Sequence, residues 1–471
     1  MSAPINTPST PSLPAPAISE ILAHYAADFD VGHIPAEVLT RAQLLILDAI
    51  GIALASHGHA FSHRALASVQ ALDGGGDSVV IGTALRLDPR NAALANGILI
   101  HGLDYDDTHA RGVIHATASI FPTVLALAAR VERSGTDLLA AYVLGVEVAT
   151  RLGAVAKGGF HQVGFHPTGL VGIFGCSLAA GWLLGLNADQ MRDAQGLALS
   201  MAGGSLEFLH DGAWNKRMHP GWAACAGITA ATFGQHGYTG TRLAFEGRFG
   251  LYASHLGQRD YDLALAYTDL GTCWELLNVS VKPLPACHFT HAAVDAAVRL
   301  HAQGVKPKQV RRITVLVPAE VVTTVCEPIA AKRKPANSYE AQFSLPYLVA
   351  TALCYGRLTL DDLSDAALND LTVLALAAIT DYAHDPDSGF PRYYSGEVIL
   401  ELEDGRRLRA REAVHRGAQD QPLSADDICG KFFDNAQRRV SAAHAKAIAQ
   451  RVLALQQISA RDLVAQLGLS H

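Results

Sequence analysis

Residues 96–117 read NGILIHGLDYDDTHARGVIHAT. Residues 91–100, just ahead of the polar run, are mostly Ala, Leu and Ile and read as a buried helix. That helix opens into His101, Asp104, Asp106, Asp107 and His109, and His115 follows six residues later. Titratable groups leave water only when they are paired or put to use. The rest of the chain is therefore expected to be a frame that holds this knot and closes over it.

At 471 residues the chain is too long for one simple core, so two domains are expected. Hydrophobic residues make up 49%, charged residues 17% and aromatics 7%. With alanine-rich segments of helical period, that mix points to closely packed helices rather than a β-sandwich. A net charge of −7 and the lack of a dense Lys/Arg run argue against nucleic acid as a partner. A small anionic substrate in a local cationic pocket remains compatible with it. Seven scattered cysteines form no C-x-x-C pair, so neither a disulfide framework nor a zinc knuckle is supported, and a reduced cytoplasmic setting is expected. Residues 1–17, Pro/Ser/Thr-rich, read as a disordered tail rather than a signal peptide. The apolar runs are broken by Gly, His or charge, so no membrane span is expected.

Taken in order, Ser19 is expected to cap a first helix, and Pro35 to open a second over 36–56 in which Asp48 bonds to nearby backbone. Residues 78–82 (SVVIG) read as a short strand, and Asp88-Pro89 as the start of the helix that delivers the knot. Residues 119–155 read as continuous helix, with Glu147 and Arg151 at ion-pair spacing. Asn187 is expected to cap a further helix. Near residue 280 the pattern changes. RRITVLVPAEVV (311–322) and GEVILELEDGRRL (396–408) alternate as strands, the second ending in an Asp-Gly turn. The fold class expected is mainly α: a helical domain from 18–278 and 413–471, with an inserted α+β domain at 279–412.

Four polar loops interrupt the apolar helices: 101–115, 164–169, 214–221 and 281–291. They supply Asp104, Thr108, His109, His115, His166, Lys216, Arg217, His219, Lys282, His288 and His291. This set suits proton transfer at a carbon next to a carboxylate. Such a proton is weakly acidic, so a base must work beside cations that neutralise the growing charge. The plainer readings are that Asp106 and Asp107 cap a helix or bond loop amides, and that His101 is a hydrogen-bonded interior residue. His288 and His291 equally suit a surface. Metal motifs fail on spacing: DYDDTH has Ala110 where D-D-x-x-D needs its last Asp, no H-E-x-x-H occurs, and no phosphate-binding glycine loop is present. No metal or other cofactor is expected.

These loops resemble the MmgE/PrpD family, which contains 2-methylcitrate dehydratase, cis-aconitate decarboxylase and iminodisuccinate epimerase. NGILIHGLDYDDTH, GFHPTGLVGIFG, WNKRMHPGWAACAGITAA, VKPLPACHFTH and AQFSLPYLVATAL follow the family's segments in order along nearly the whole chain. The resemblance implies a homodimer and a cofactor-free site between the helical domain and a lid formed by the inserted one. By position it makes Asp104, Thr108, His115, His166, Lys216 and Lys282 pocket residues. Asp104, His115, His166, Lys216 and Lys282 are the expected catalytic set, with Thr108, His109, Arg217, His219 and His288 binding a small di- or tricarboxylate. The chain departs from the decarboxylase branch, which has W-H-P-A-T-H-P after D-D-T; here the run is HARGVIHAT, one residue longer before His115. It also departs from the dehydratase branch's D-F-N-D-T-W. The expectation is a dehydratase, with an epimerase, a decarboxylase and a non-catalytic polycarboxylate-binding dimer as alternatives.

Overall fold

The computed structural model describes residues 16–469, so the expected tail lies almost wholly outside the described residues. The fold is mainly α-helical, with two two-stranded sheets and one four-stranded sheet among the described residues. Helix Pro89–His101 starts as its sequence demands: the Asp88 side chain accepts from the backbone N–H groups of Arg90 and Asn91, and Pro89 fills the first position. This helix crosses Asn215–Gln235 at a pair of glycines. A Cβ on Gly97 would stand 2.4 Å from Gly221 Cα, so the crossing tolerates no side chain. With the crossing fixed there, Lys216 at the start of one helix meets the loop that leaves the other.

Pro167–Leu184 packs between Gly135–Val155 and Asn215–Gln235 and sets His166 at its amino end. A short antiparallel pairing, Thr108↔Ser280 and His109↔Val279, ties the acidic loop to the segment carrying Lys282. The four-stranded sheet runs Thr380–His384, Val310–Val317, Gly396–Leu402, Arg407–Glu412; its first pair is parallel and the others antiparallel. Apolar side chains gather in two clusters. One unites residues 18–281 with helices from Ile428 onward; the other spans mainly Leu284–Ala410, joined by Leu206 and Phe208.

Several local expectations change. Ser19 lies inside the first turn of Ile18–Ala27 and donates to the Arg242 carbonyl; the cap position is Ala17. Residues 119–155 form two helices, Thr117–Ala128 and Gly135–Val155, the second opened by a Ser134–Asp137 capping box. Asp48 does not bond to nearby backbone: it pairs with Lys431 at 2.8 Å, 383 residues on, a partner no local pattern can reveal. Three helices, Ala36–Ser56, Gly135–Val155 and Pro167–Leu184, are long and apolar enough to cross a membrane, contrary to the expectation that none would be. In this fold those stretches are 89%, 100% and 89% buried, so packing consumes their apolar surface.

Candidate active site

Where the two clusters meet lies a cavity of about 60 Å³ lined by Asp104, Thr108, Val113, His115, His161, His166, Lys216, Lys282, Cys287, His288, Phe343 and Tyr394, among others. It adjoins a cleft of about 1160 Å³ that shares His161, Leu206, Leu209 and Thr324 with it. All four polar loops thus reach one place.

Asp104 is the centre of charge. Its backbone takes the left-handed conformation, φ +49°, which Asp tolerates better than most residues. Its Oδ1 accepts from Lys216 Nζ at 2.7 Å and from Lys282 Nζ at 3.0 Å, and its carbonyl takes a second bond from Lys282. Burial alone would raise its carboxyl, but the two lysines, helped by His115 and His101, drive it well below the usual range. Two ammonium groups thus share one carboxylate, and the triad keeps a net positive charge.

Asp106 and Asp107 are buried neighbours in opposite states. Against the pull of burial, His101 and His115 hold the Asp106 carboxyl far down, and its Oδ2 bonds His101 Nδ1 at 2.7 Å. Burial, with the charges of Asp106 and Asp48, pushes Asp107 up to about 7, while Thr117 bonds it from both hydroxyl and backbone N–H. Of the two plainer readings, bonding to a backbone amide describes Asp107, whose partner is Thr117; the cap position of Thr117–Ala128 is Ala116, and Asp106 bonds an imidazole instead.

His115 is fixed at three points. Its backbone N–H donates to Thr168 Oγ1, Nδ1 lies 2.7 Å from the Asp107 carbonyl, and Thr108 Oγ1 is 3.4 Å from Nδ1. A bond to a carbonyl requires the proton on Nδ1, so Nε2 carries the lone pair. His166 places Nδ1 3.1 Å from His219 Nδ1 and leaves Nε2 buried without a partner. Burial lowers both rings far below the ordinary histidine value. For His115 the lysines and His101 add to burial, outweighing Asp106; for His166 the added charges are His219, Lys216, His101 and His115. Two neutral imidazoles beside two ammonium groups can accept a carbon-bound proton while the ammonium groups hold carboxylates.

Three of the expected substrate-binding residues stand elsewhere. His109 does not line the cavity: Nε2 bonds Glu275 at 2.9 Å and Nδ1 accepts from the Gly112 N–H, so both nitrogens are spent. Arg217 donates to the Gly102 carbonyl at 2.8 Å and lies 4.3 Å from the rings of both Phe61 and Tyr339. His219 backs His166 and lines a separate groove. Thr108 and His288 do line the cavity. His101 is the hydrogen-bonded interior residue expected, bonding Asp106 through Nδ1, and its ring stands 4.8 Å from His115 and 5.4 Å from His166. Tyr394 and Val113 carry no local signal.

His101, His115 and His166 each offer a ring nitrogen within 4.8 Å of the others, and Asp104 and Asp106 add carboxylates to a related set. Asp104 is committed to two lysines and Asp106 to His101, and the same ammonium groups oppose a further cation. The set that includes the carboxylates is thus spent on its own partners and does not fit a metal centre.

The MmgE/PrpD N-terminal domain family matches residues 20–264 and the MmgE/PrpD C-terminal domain family matches 284–457. Cis-aconitate decarboxylase of Homo sapiens is 30% identical, with 90% of this chain and 89% of that protein aligned. The cis-aconitate decarboxylase-like protein oryM of Aspergillus oryzae is 28% identical over 95% and 96%. The 2-methylcitrate dehydratase of Salmonella typhimurium is 26% identical over 70% and 71%. With both halves matched and its polar loops drawn to one cavity, this chain belongs to the MmgE/PrpD family.

Proposed function

We propose that the protein is a cofactor-independent lyase that labilises a carbon-bound proton next to a carboxylate of a small di- or tricarboxylate and then eliminates water. The observation that carries this reading is the Lys216–Asp104–Lys282 triad beside His115 and His166. The lysines hold substrate carboxylates and stabilise charge growing on the one next to the reacting carbon. His115 and His166 exchange protons with the substrate, at the reacting carbon and at the departing hydroxyl. Thr108 and His288 hydrogen-bond the substrate. Asp104 orients the lysines rather than touching the reacting atoms.

The cluster spanning Leu284–Ala410 acts in this reading as a lid over 279–412. The small cavity joins a larger cleft through shared residues, which gives the substrate its way in. Closure then dries the site and strengthens each charge in it. The assembly in this reading is a homodimer, as the family resemblance implies, and the unpaired cysteines fit a cytoplasmic setting.

Decarboxylation is the second reading. Relatives named cis-aconitate decarboxylase align over 90–95% of the chain, whereas the dehydratases align over 70%. NMR of 2-methylcitrate, citrate, cis-aconitate and iminodisuccinate with enzyme in deuterated water separates the outcomes. Water loss with deuterium exchange supports the dehydratase, carbon dioxide release the decarboxylase, and inversion an epimerase. Binding without exchange or turnover of any of the four sinks the enzymatic reading.

A further inference from the structure

His166 belongs to two surroundings at once. It lines the cavity that holds Lys216 and Lys282, and its Nε2 is buried without a partner. Its Nδ1 lies 3.1 Å from Nδ1 of His219. His219 is not part of that cavity. It lines a separate groove of about 450 Å³ between helices Ala60–Leu72, Pro89–His101 and the start of Asn215–Gln235. Leu72, Trp214 and Met218 on its walls are 75%, 46% and 48% exposed, so the groove meets solvent. Two adjoining residues therefore link the cavity to an open surface groove.

The contact between the rings also fixes what each nitrogen does. Two Nδ1 atoms at hydrogen-bond distance share one proton, so one ring donates and the other accepts. When His166 donates, its Nε2 keeps the lone pair facing the cavity, and His219 carries its own proton on Nε2. A proton that His166 gains cannot rest there. Burial opposes the charge first, and His219, Lys216, His101 and His115 oppose it further. His219 meets only His101 and Lys216 beyond its own burial.

We propose that His219 is the proton exit of the site, connecting His166 to solvent by a route that bypasses the substrate opening. Each transfer balances. A proton arriving at His166 Nε2 is matched by passage of the Nδ1 proton to His219 Nδ1, and His219 releases its Nε2 proton into the groove. Run backwards, the same steps deliver a proton to a leaving hydroxyl. Both imidazoles end neutral, and the negative charge left on the substrate is met by Lys216 and Lys282. His219 is a positioning and relay residue here, since it does not touch substrate. The inference rests on the reading of the cavity as a proton-transfer centre.

The test uses the intact enzyme with whichever acid of the four the wild type turns over in deuterated water. Two rates are followed: deuterium entering recovered substrate, and product formation. With the exit blocked, an abstracted proton is handed back rather than lost. His219→Ala should therefore lower exchange about 10–100-fold, lower it more than turnover, and recover on adding free imidazole. His219→Gln keeps the size and a hydrogen bond but cannot take up and pass on a proton; it should show the same loss with a wild-type melting temperature, and it serves if the alanine variant fails to fold. Wild-type exchange in either variant, or a loss in the folded alanine variant that imidazole does not restore, overturns the exit. A wild type that exchanges with none of the four acids overturns the function itself and the exit with it.

Discussion

Two groups of histidines flank the cavity, and they differ in what stands behind them. On one side His101, His115 and His166 have Nδ1 engaged by a carboxylate, a carbonyl and another imidazole. On the other, His288, His291 and His415 cluster with Tyr394, ring centroids 4.4–5.4 Å apart; among the described residues no carboxylate bonds them, while His291 Nε2 bonds the Ala286 carbonyl and His415 Nδ1 accepts from the Tyr394 N–H. His288 has no partner on either nitrogen. The lesson is that burial alone produces a neutral imidazole, whereas a fixed partner on one nitrogen also decides which nitrogen is basic. In the proposed reaction the first group, set beside Asp106 and the lysines, exchanges protons, whereas burial keeps the second uncharged.

The comparison breaks most sharply at His115. Replacing it with alanine should lower turnover by about 10²–10⁴ with little change in melting temperature, while His291→Phe should leave most turnover. Equal losses in the two variants, measured as kcat on folded protein, would erase the distinction.

The second group should instead set stability in acid. Burial pushes His415 down to about 4, and likewise His161 and His219. Histidines depressed in the folded state bind fewer protons there than in the unfolded chain. Their contribution is therefore complete above their ordinary value near 6.5 and disappears as pH falls toward 4. Asp107 runs the other way: raised to about 7, it stabilises most below the ordinary carboxylate range and loses that contribution as pH rises through 7. Denaturant unfolding at pH 7 and pH 5 should show a drop of about 1–3 kcal/mol in acid from each such histidine. His415→Phe should flatten the slope; an unchanged slope would show that His415 does not titrate on unfolding.

A smaller effect is expected at His288, which lines the cavity without a bonded partner. His288→Leu should raise KM by several-fold, equivalent to about 1 kcal/mol for one hydrogen bond, with kcat nearly unchanged. A fall in kcat alone would place His288 with the first group. The smallest effect is at Val113, a β-branched residue at φ +51° in the tight turn that Ile114 and His109 close. Val113→Gly should relieve about 1 kcal/mol of backbone strain and widen the cavity wall. Lower stability in the glycine variant would mean that the valine's packing outweighs the strain.

Much of this was legible along the chain because it is local chemistry. Asp88-Pro89 starts its helix, Asn187 caps the next with Gln190, and Asp404-Gly405 turns the hairpin. The cavity set of Asp104, Thr108, His115, His166, Lys216, Lys282 and His288 was legible from the polar loops and the family pattern. What escaped was long-range: Asp48 with Lys431, His109 with Glu275, and Tyr394 at the cavity wall. His109 and His115 illustrate the difference. Both follow the same acidic run, but a two-residue pairing with Val279–Ser280 and the partner Glu275 place His109 away from the cavity.

The sequence by itself determined which residue types would meet, because hydrophobic period and loop polarity say what is buried and what must be paired. Only the tertiary structure decided each residue's task. A carboxylate beside two ammonium groups is an anchor and one beside an imidazole is an orienter, while a third, enclosed with a hydroxyl, approaches neutrality. Those identities depend on neighbours brought from hundreds of residues away, and the energy of a buried charge depends on distance and exclusion of water, neither of which is written in spacing along the chain.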